Sequence, residues 1–521
     1  MHTADYWCTW ATQSATRAER RASGALAFPG DQGLPGARDN LDENAVFGPD
    51  GWAGLFPEHR GGLLFLLDDG WDVPYGANPA GDGIGAFGSL VPDPVRFPPR
   101  SAGASGRDRL RELARRVEDA GWKGLGVWVA CQAPGERHGA PFDEAALAED
   151  LRRKIDAAAS AGVKYWKVDW GVRCRDVRYR RLMSETKERL CPELAIEHCI
   201  PSGNAFNGRP GARGDPADPL RFTGPSGRIF GNPAYAPLER ECEEILSFAD
   251  AFRSYDSAHP LTTATMLERA AWELECADRV SSRAVVNTED EPLLAAGLCL
   301  GLGMMRAPVW PAPAVARVRP RRSRMAEALR CVAWHRTAPP FGGDTPAKTL
   351  HGETSIREEW RFLPGECWFT GREEVFCYQV APACVTRGLA LPEVRGTDGE
   401  VPFVVASRHP EGALSLAALP LLDPAKGSWT PAAEARFDAA LEPGVPVGVF
   451  GRFGSVVLDD RTEGRRVAAR DLLGGEPVDL TARCVREAGR IVLPGDALAA
   501  VGASRNPPGD DSEPGALVEV V

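Results

Sequence analysis

The stretch Tyr165-Trp166-Lys167-Val168-Asp169-Trp170-Gly171 combines a β-strand pattern with two charged side chains at its end. Successive side chains of a strand alternate between its two faces, so Lys167 and Asp169 are predicted to point the same way. In a closed barrel of parallel strands, polar residues near the carboxyl end of a strand face the active mouth. The motif therefore predicts that the lysine ammonium attracts Asp169 and keeps it ionised. A purely structural salt bridge has the same pattern and is the competing interpretation.

Short apolar runs alternate with amphipathic segments through residues 1–343. Two segments, Arg107–Ala120 and Phe142–Gly162, repeat apolar side chains every three or four residues and are predicted helices. Eight strand–helix units in order predict a (β/α)8 TIM barrel of the α/β class. Two long segments of low periodicity, 11–60 and 201–238, are expected over its active face. The predicted strands are Tyr6–Trp10, Leu63–Leu67, Leu125–Ala130, Tyr165–Asp169, Leu194–Glu197, Ile245–Phe252, Ala284–Asn287 and Leu302–Pro308.

The pattern changes after the proline- and glycine-rich run Ala338–Asp344. Beyond it, short β-like segments are divided by Gly, Pro and Asp, which predicts a C-terminal antiparallel β-sandwich over residues 344–505. The final residues, 506–521, begin with a polar, proline-rich stretch and are predicted to form a flexible tail.

The overall composition narrows the possible partners. The 521 residues are 43% hydrophobic and carry a net charge of −11. An acidic surface argues against nucleic acid and anionic membranes as partners. The N-terminus has no signal-peptide features, and none of the 13 cysteines forms a CxxC pair, so we expect reduced thiols and a cytoplasmic location. A homo-oligomer is left open.

A second polar motif, Asp68-Asp69-Gly70-Trp71, directly follows the predicted strand Leu63–Leu67. Carboxylates accept hydrogen bonds from sugar hydroxyls, and an indole packs on the apolar face of a sugar ring. The same acids could instead cap a helix, or bind a divalent metal together with His198.

Further acids follow other predicted strands. Glu197 ends the run Leu194–Glu197, and Asp256 follows Phe252-Arg253. A retaining glycosidase needs two carboxyl groups about 5–5.5 Å apart. Acids at the ends of successive barrel strands would meet at one mouth and could supply such a pair.

Taken in this order, the motifs resemble the α-galactosidase clan of retaining glycoside hydrolases, the melibiase-like enzymes of families 27 and 36. That resemblance implies a (β/α)8 barrel with a C-terminal antiparallel β-domain. The segments that carry it are Trp7–Trp10, Asp68–Trp71, Gly124–Ala130, Lys167–Asp169, Glu197, Arg253–Asp256 and Val286–Leu294.

The resemblance also implies roles for single residues. Asp169 is expected to attack the anomeric carbon, and Asp256 to act as the acid and then the base. The expected activity is hydrolysis of terminal α-galactosyl groups, a carbohydrate substrate, with no cofactor and no metal. The residues expected to bind the sugar are Trp10, Asp68, Asp69, Trp71, Lys167, Glu197 and Arg253.

Several alternatives share these motifs. The same clan includes α-N-acetylgalactosaminidases, β-L-arabinopyranosidases and transglycosidases. A catalytically silent carbohydrate-binding barrel is the alternative from another class, since a fold does not determine a function.

Overall fold

The structure is a computed structural model, and it describes residues 5–10, 12–13, 34–77, 81–199, 236–253, 263–305, 324–343, 345–351, 356–361, 376–397, 399–423 and 427–521. Within these residues a closed barrel is followed by a β-domain. No helix in this part of the chain is both long enough and apolar enough to cross a membrane.

Eight parallel strands close into a single barrel in sequence order, which confirms the predicted fold class. The strands are β1 (Tyr6–Cys8), β2 (Leu64–Leu67), β3 (Gly124–Val129), β4 (Tyr165–Val168), β5 (Ala195–Cys199), β6 (Ala251–Arg253), β7 (Val285–Glu289) and β8 (Gly301–Met304). Every residue in them is buried, because a parallel barrel is filled by side chains inside and covered by helices outside.

Helices connect the strands of the barrel, and several of them cover its outside. In the described part of the chain they are α1 (Leu34–Asp39), α2 (Glu43–Phe47), α3 (Gly106–Asp119), α4 (Glu144–Ala161), α5 (Val177–Leu190), α6 (Ala236–Leu246), α7 (Thr263–Arg279), α8 (Pro292–Leu298) and α9 (Met325–Trp334). A capping box between Ser105 and Asp108 starts α3. Gly162, with a φ of 84°, ends α4 in the left-handed conformation that glycine adopts readily. Both predicted helices are confirmed.

One predicted strand, Ile245–Phe252, is wrong over most of its length. Ile245 is in α6, and β6 comprises only Ala251–Arg253. A short apolar run is compatible with a buried helix end as well as with a strand, so the run alone could not distinguish them.

The C-terminal part of the chain forms the predicted β-sandwich. In chain order its elements are β9 (Ala347–Leu350), β10 (Ile356–Arg361), β11 (Phe376–Ala381), β12 (Cys384–Arg387), β13 (Glu393–Gly396), β14 (Phe403–Arg408), β15 (Leu414–Leu419), β16 (Leu421–Asp423), β17 (Gly427–Trp429), β18 (Ala433–Leu441), β19 (Val447–Phe450), β20 (Ser455–Asp460), β21 (Val467–Asp471), β22 (Val478–Asp479), β23 (Val485–Glu487), β24 (Arg490–Pro494), α10 (Gly495–Gly502) and β25 (Gly515–Val520). The larger sheet has the order β22-β21-β25-β19-β15-β14-β12-β9, and the smaller has the order β13-β18-β20-β24-β23. Their apolar faces share one buried cluster, to which Leu416 and Phe437 belong.

The prediction of a flexible tail over residues 506–521 is wrong. Strand β25 lies inside the larger sheet, antiparallel to both β19 and β21. Its sequence, Gly-Ala-Leu-Val-Glu-Val, is an apolar strand that the preceding proline-rich stretch obscured. The β-domain therefore extends to Val520 rather than ending at residue 505.

The barrel and the β-domain pack directly on each other. Gly297 in α8 touches the larger sheet so closely that a Cβ there would lie 2.5 Å from Val405 Cγ2. Arg330 of α9 forms a buried bidentate pair with Asp471 of β21, with N–O distances of 2.9 and 2.7 Å. A buried pair of this kind makes the relative position of the two units specific.

Candidate active site

The predicted polar residues meet at the carboxyl end of the barrel. Asp68 follows β2, Asp169 follows β4, and Arg253 ends β6. Lys167 Nζ lies 2.9 Å from Asp68 Oδ2, and Arg253 Nη2 lies 3.8 Å from Asp169 Oδ2. Residues far apart in sequence therefore form one charged cluster, as expected where the strands of a TIM barrel end.

Asp169 is held by donors from neighbouring strands. The indole N–H of Trp128, in β3, donates to Oδ2 at 3.1 Å. The Cys199 thiol lies 3.7 Å from Oδ1 as a weak donor, and Arg253 faces Oδ2. Asp169 keeps only 5% of its surface exposed. The carboxylate is therefore oriented and largely shielded from solvent.

The backbone after Asp169 turns sharply. The Asp169 N–H continues the ladder to the Val129 carbonyl at 3.1 Å, and Arg180 Nη2 donates to the Asp169 carbonyl at 3.3 Å. Gly171 has a φ of 145°, and a Cβ there would lie 2.8 Å from the backbone of Cys131. Only glycine fits this close approach, so the motif ends in a rigid turn.

The predicted attraction between Lys167 and Asp169 is corrected by the structure. The Lys167 side chain crosses the barrel and contacts Asp68, with the Cys8 sulfur 3.8 Å away. Burial by itself lowers the pKa of Lys167, but the attraction of Asp68 raises it well above its usual value. The cation that faces Asp169 is Arg253 instead, because two side chains on one strand face can still reach towards different partners.

The two neighbouring acids contact different cations, Asp68 contacting Lys167 and Asp69 contacting Arg38. Asp68 Oδ2 also accepts the Cys8 thiol at 2.9 Å. Asp69 forms a bidentate pair with Arg38, with Nε–Oδ1 at 2.8 Å and Nη2–Oδ2 at 2.5 Å. Burial raises the pKa of Asp69, and the neighbouring Arg38 guanidinium opposes that rise.

Arg38 is a site residue that sequence reasoning missed. It lies in α1, within the long segment 11–60, where no periodic pattern marked it. Gly70, with a φ of 121°, lets this segment approach: a Cβ there would lie 3.0 Å from Arg38 Cα. The glycine of the Asp-Asp-Gly-Trp motif is the one sequence signal that another backbone passes close by.

Glu197 lies one layer deeper than Asp169, opposite Lys167 in the strand register. It is fully buried, and its Oε1 accepts from Arg253 Nε at 2.9 Å and from the Tyr6 hydroxyl at 3.2 Å. Its Oε2 accepts from the Tyr165 hydroxyl at 2.8 Å and from the Asn287 amide. These four donors come from β1, β4, β6 and β7. The predicted contact between Glu197 and a sugar does not fit this position, because protein donors already occupy both carboxylate oxygens.

The aromatic residues divide into two groups. Trp71 is fully buried in the same cluster as Leu110 and Leu113 of α3, and its indole N–H donates to the Trp128 carbonyl. The packing of Trp71 on a sugar stays a prediction, since its ring lies among apolar side chains and its indole N–H is paired within the protein. Trp10, in contrast, belongs to a cluster inside the barrel.

Trp170 borders the site, although alternation along a continuing strand would place it on the face opposite Asp169. Its indole N–H lies 3.4 Å from Asp69 Oδ2. Its ring packs on Phe87 and Trp128 with centroid distances of 4.9 and 5.6 Å. Since β4 ends at Val168, the alternation no longer applies at residue 170.

His198 does not join the acidic pair. Its Nε2 lies 2.8 Å from the Ser184 hydroxyl and its Nδ1 lies 3.3 Å from Arg180 Nη1, both in α5. It therefore faces the helices, and the alternative of a metal bound by Asp68, Asp69 and His198 fails on geometry. No group of three potential ligands occurs among the described residues.

Asp256, the predicted acid and base, lies outside the described residues. Arg253, three residues earlier, ends the described part of β6, with Nη1 2.7 Å from Glu289 Oε1. The role of Asp256 stays a prediction.

No protein-family model and no curated protein matches the sequence. A candidate α-N-acetylgalactosaminidase from Bacillus halodurans C-125 is 18% identical, with a TM-score of 0.23, over 30% of this chain and 44% of that one. A family 27 β-L-arabinopyranosidase from Geobacillus stearothermophilus, in complex with arabinose, is 9% identical over 100% of this chain and 97% of that one, with a TM-score of 0.38. α-Galactosidase I from Mortierella vinacea is 11% identical over 99% and 96%, with a TM-score of 0.35. The chain is similar to these solved structures at low sequence identity.

Proposed function

We propose that this protein is a retaining α-glycosidase that hydrolyses terminal α-galactosyl or closely related α-glycosyl linkages. The observation that supports this most is the setting of Asp169, a shielded carboxylate at the barrel mouth oriented by Trp128 and faced by Arg253. A carboxylate that must attack an anomeric carbon has to be ionised, oriented and partly desolvated.

The reaction has two displacements. In the first, Asp169 attacks the anomeric carbon while Asp256 gives a proton to the departing glycosidic oxygen, so that a covalent glycosyl–enzyme ester forms. In the second, Asp256 removes a proton from water, the water oxygen attacks the anomeric carbon, and Asp169 leaves as a carboxylate. Two inversions give a product with the starting anomeric configuration.

The remaining charged groups serve the sugar and its transition state. Asp68 and Lys167 form a buried acceptor–donor pair 2.9 Å apart, which suits ring hydroxyls that both donate and accept hydrogen bonds. Glu289 and Asp169 place negative charge on two sides of Arg253. Preorganised negative charge stabilises the positive charge that develops on the sugar ring in the transition state.

The decisive experiment combines a substrate panel with active-site trapping. Initial rates are measured on p-nitrophenyl α- and β-glycosides of galactose, N-acetylgalactosamine, glucose and L-arabinopyranose. A 5-fluoro-glycosyl fluoride of the preferred sugar is then added, and the labelled peptide is identified by mass spectrometry. We expect release from an α-glycoside, label on Asp169, and an initial product of unchanged anomeric configuration by NMR.

The outcomes separate the alternatives. Release of p-nitrophenol from a glycoside of another sugar keeps the proposed mechanism and changes the sugar specificity. Transfer of the glycosyl group to an added alcohol in place of water identifies a transglycosidase. An initial product of inverted configuration, or label on a different carboxylate, contradicts the proposal. If sugars bind but no glycoside is turned over, the remaining interpretation is the catalytically silent carbohydrate-binding barrel. Asp169→Asn must lose turnover while the exposed control Asp119→Asn retains it.

A further inference from the structure

Arg38 carries a buried donor that is not hydrogen-bonded to any residue the structure describes. Its Nε and Nη2 bind both oxygens of Asp69. Its Nη1 is buried and has no hydrogen-bond partner among the described residues. Buried nitrogen donors are almost always paired, so an unpaired one next to a candidate active site leaves a position for an accepting water or ligand atom.

The surroundings of Arg38 hold it rigidly. The guanidinium carbon lies 4.8 Å from the ring centre of Phe87 and 5.5 Å from that of Trp170. The Arg38 carbonyl accepts from Arg96 Nη1 at 2.6 Å. Gln13 Nε2 bridges the carbonyls of Ala37 and Asp69 at 3.2 and 3.0 Å. The unpaired donor is thus preorganised before any ligand arrives.

We propose that Arg38 determines glycone specificity: its Nη1 donates to one ring hydroxyl of a neutral sugar, and Asp69 accepts from the same or an adjacent hydroxyl. This inference rests on the proposed function and assigns to Arg38 the recognition of one hydroxyl of its substrate. A donor beside an acceptor matches a hydroxyl group, which uses both. An acidic sugar fits less well, because its carboxylate would lie beside the carboxylate of Asp69.

The test compares the removal of the donor with the removal of the hydroxyl. Arg38→Lys keeps a cation for Asp69 but loses the planar fork, and Arg38→Met loses both. Each variant and the wild type are assayed for kcat/KM on the preferred p-nitrophenyl glycoside and on its four monodeoxy analogues. The exposed Arg115→Met of α3 is the matched control, and thermal melting checks the fold of each variant.

We expect one deoxy analogue to lower the wild-type kcat/KM by roughly 100-fold or more. Both Arg38 variants should lose a similar factor on the parent glycoside and lose little further on that one analogue. For that analogue, the loss of kcat/KM from the substitution and the loss from removing the hydroxyl are then not multiplicative. This identifies the hydroxyl that Arg38 contacts. Arg115→Met should leave every ratio as in the wild type.

Multiplicative losses for all four analogues would overturn the inference, because Arg38 would then act only on the fold or on Asp69. The p-nitrophenyl glycoside of the corresponding uronic acid is assayed alongside them. A wild-type preference for this acidic glycoside that disappears in Arg38→Met would also overturn the inference, since Arg38 would then bind a carboxylate. If no glycoside is turned over, the proposed function fails separately. The same comparison is then made on dissociation constants of the free sugar and its deoxy analogues by calorimetry, and equal effects of Arg38→Met on all of them would reject the inference.

Discussion

Glu197 holds the guanidinium of Arg253 inside the barrel, with Oε1 accepting from Nε at 2.9 Å. The same guanidinium presents Nη2 to Asp169 at 3.8 Å. Protein donors occupy both oxygens of Glu197, so we expect it to act on a substrate through Arg253. It is therefore a positioning residue for the cation that faces the proposed nucleophile.

Replacing Glu197 by Gln tests this positioning role. The amide keeps the shape but removes the charge that compensates Arg253, and breaking a buried ion pair costs about 3 kcal/mol of unfolding free energy. We expect kcat to fall more than KM rises, because the other side chains expected to bind the sugar remain in place while Arg253 is displaced from the proposed nucleophile. Denaturant unfolding and steady-state kinetics on the same preparation measure both effects.

The control for that variant is Glu112→Gln. Glu112 pairs with Arg115 on the exposed face of α3, where a salt bridge contributes about 0–1 kcal/mol. If Glu197→Gln loses stability but keeps the wild-type kcat, the role of Glu197 is purely structural.

Trp128→Phe removes the indole donor from Asp169 Oδ2 but retains the aromatic packing. A hydrogen bond to a charged group contributes about 1.5–3 kcal/mol, so kcat should fall by roughly 10- to 100-fold. Trp122 provides a matched comparison, since its indole N–H is also buried but donates to the Ala53 carbonyl at 2.8 Å. Trp122→Phe should affect thermal stability and not kcat; equal loss of kcat in both variants would contradict the role of Trp128.

Asp256→Gly should be rescued by azide if Asp256 is the acid and base. Azide attacks the glycosyl–enzyme without needing a base, so the variant's rate on an activated aryl glycoside should rise by at least about tenfold. The glycosyl azide formed should retain the substrate's configuration, whereas azide rescue of Asp169→Gly should give the inverted product. NMR of the two azides distinguishes the roles, and an inverted azide from Asp256→Gly would exchange them.

Asp72 makes stability depend on pH. Burial raises its pKa to about 6, and its Oδ2 accepts from the Leu90 N–H at 2.9 Å. Because the folded-state pKa lies above the unfolded value of about 4, the native state binds the proton more tightly. Its contribution to stability is therefore full below pH 4 and is lost as the pH rises from about 4 to about 6.

The variant Asp72→Asn removes this titration. The unfolding free energy of the wild type should fall relative to that of the variant across this pH range, by at most about 3 kcal/mol. Denaturant titrations at several pH values measure the difference, and a difference that stays constant with pH would show that Asp72 does not titrate in this range.

The order of the elements was readable from the sequence for a local reason. Strands such as Leu64–Leu67 are continuous apolar runs, and helices such as Gly106–Asp119 carry their own periodicity and caps. Both signals lie within a few residues of each other, so no knowledge of distant contacts is needed. The strand Gly515–Val520 carries the same kind of apolar signal and was missed because the proline-rich stretch before it obscured that signal.

The sequence by itself determined the barrel, the β-domain and the chemistry-bearing motifs Asp68-Asp69-Gly70 and Lys167-Val168-Asp169, since these depend on local spacing. Only the tertiary structure decided which charge meets which: Lys167 with Asp68, Arg253 with Glu197 and Asp169, and Arg38 with Asp69. The physical reason is that side-chain pairing across a barrel depends on strand register and on how long side chains cross the interior. Neither property is written in the spacing of residues along one strand.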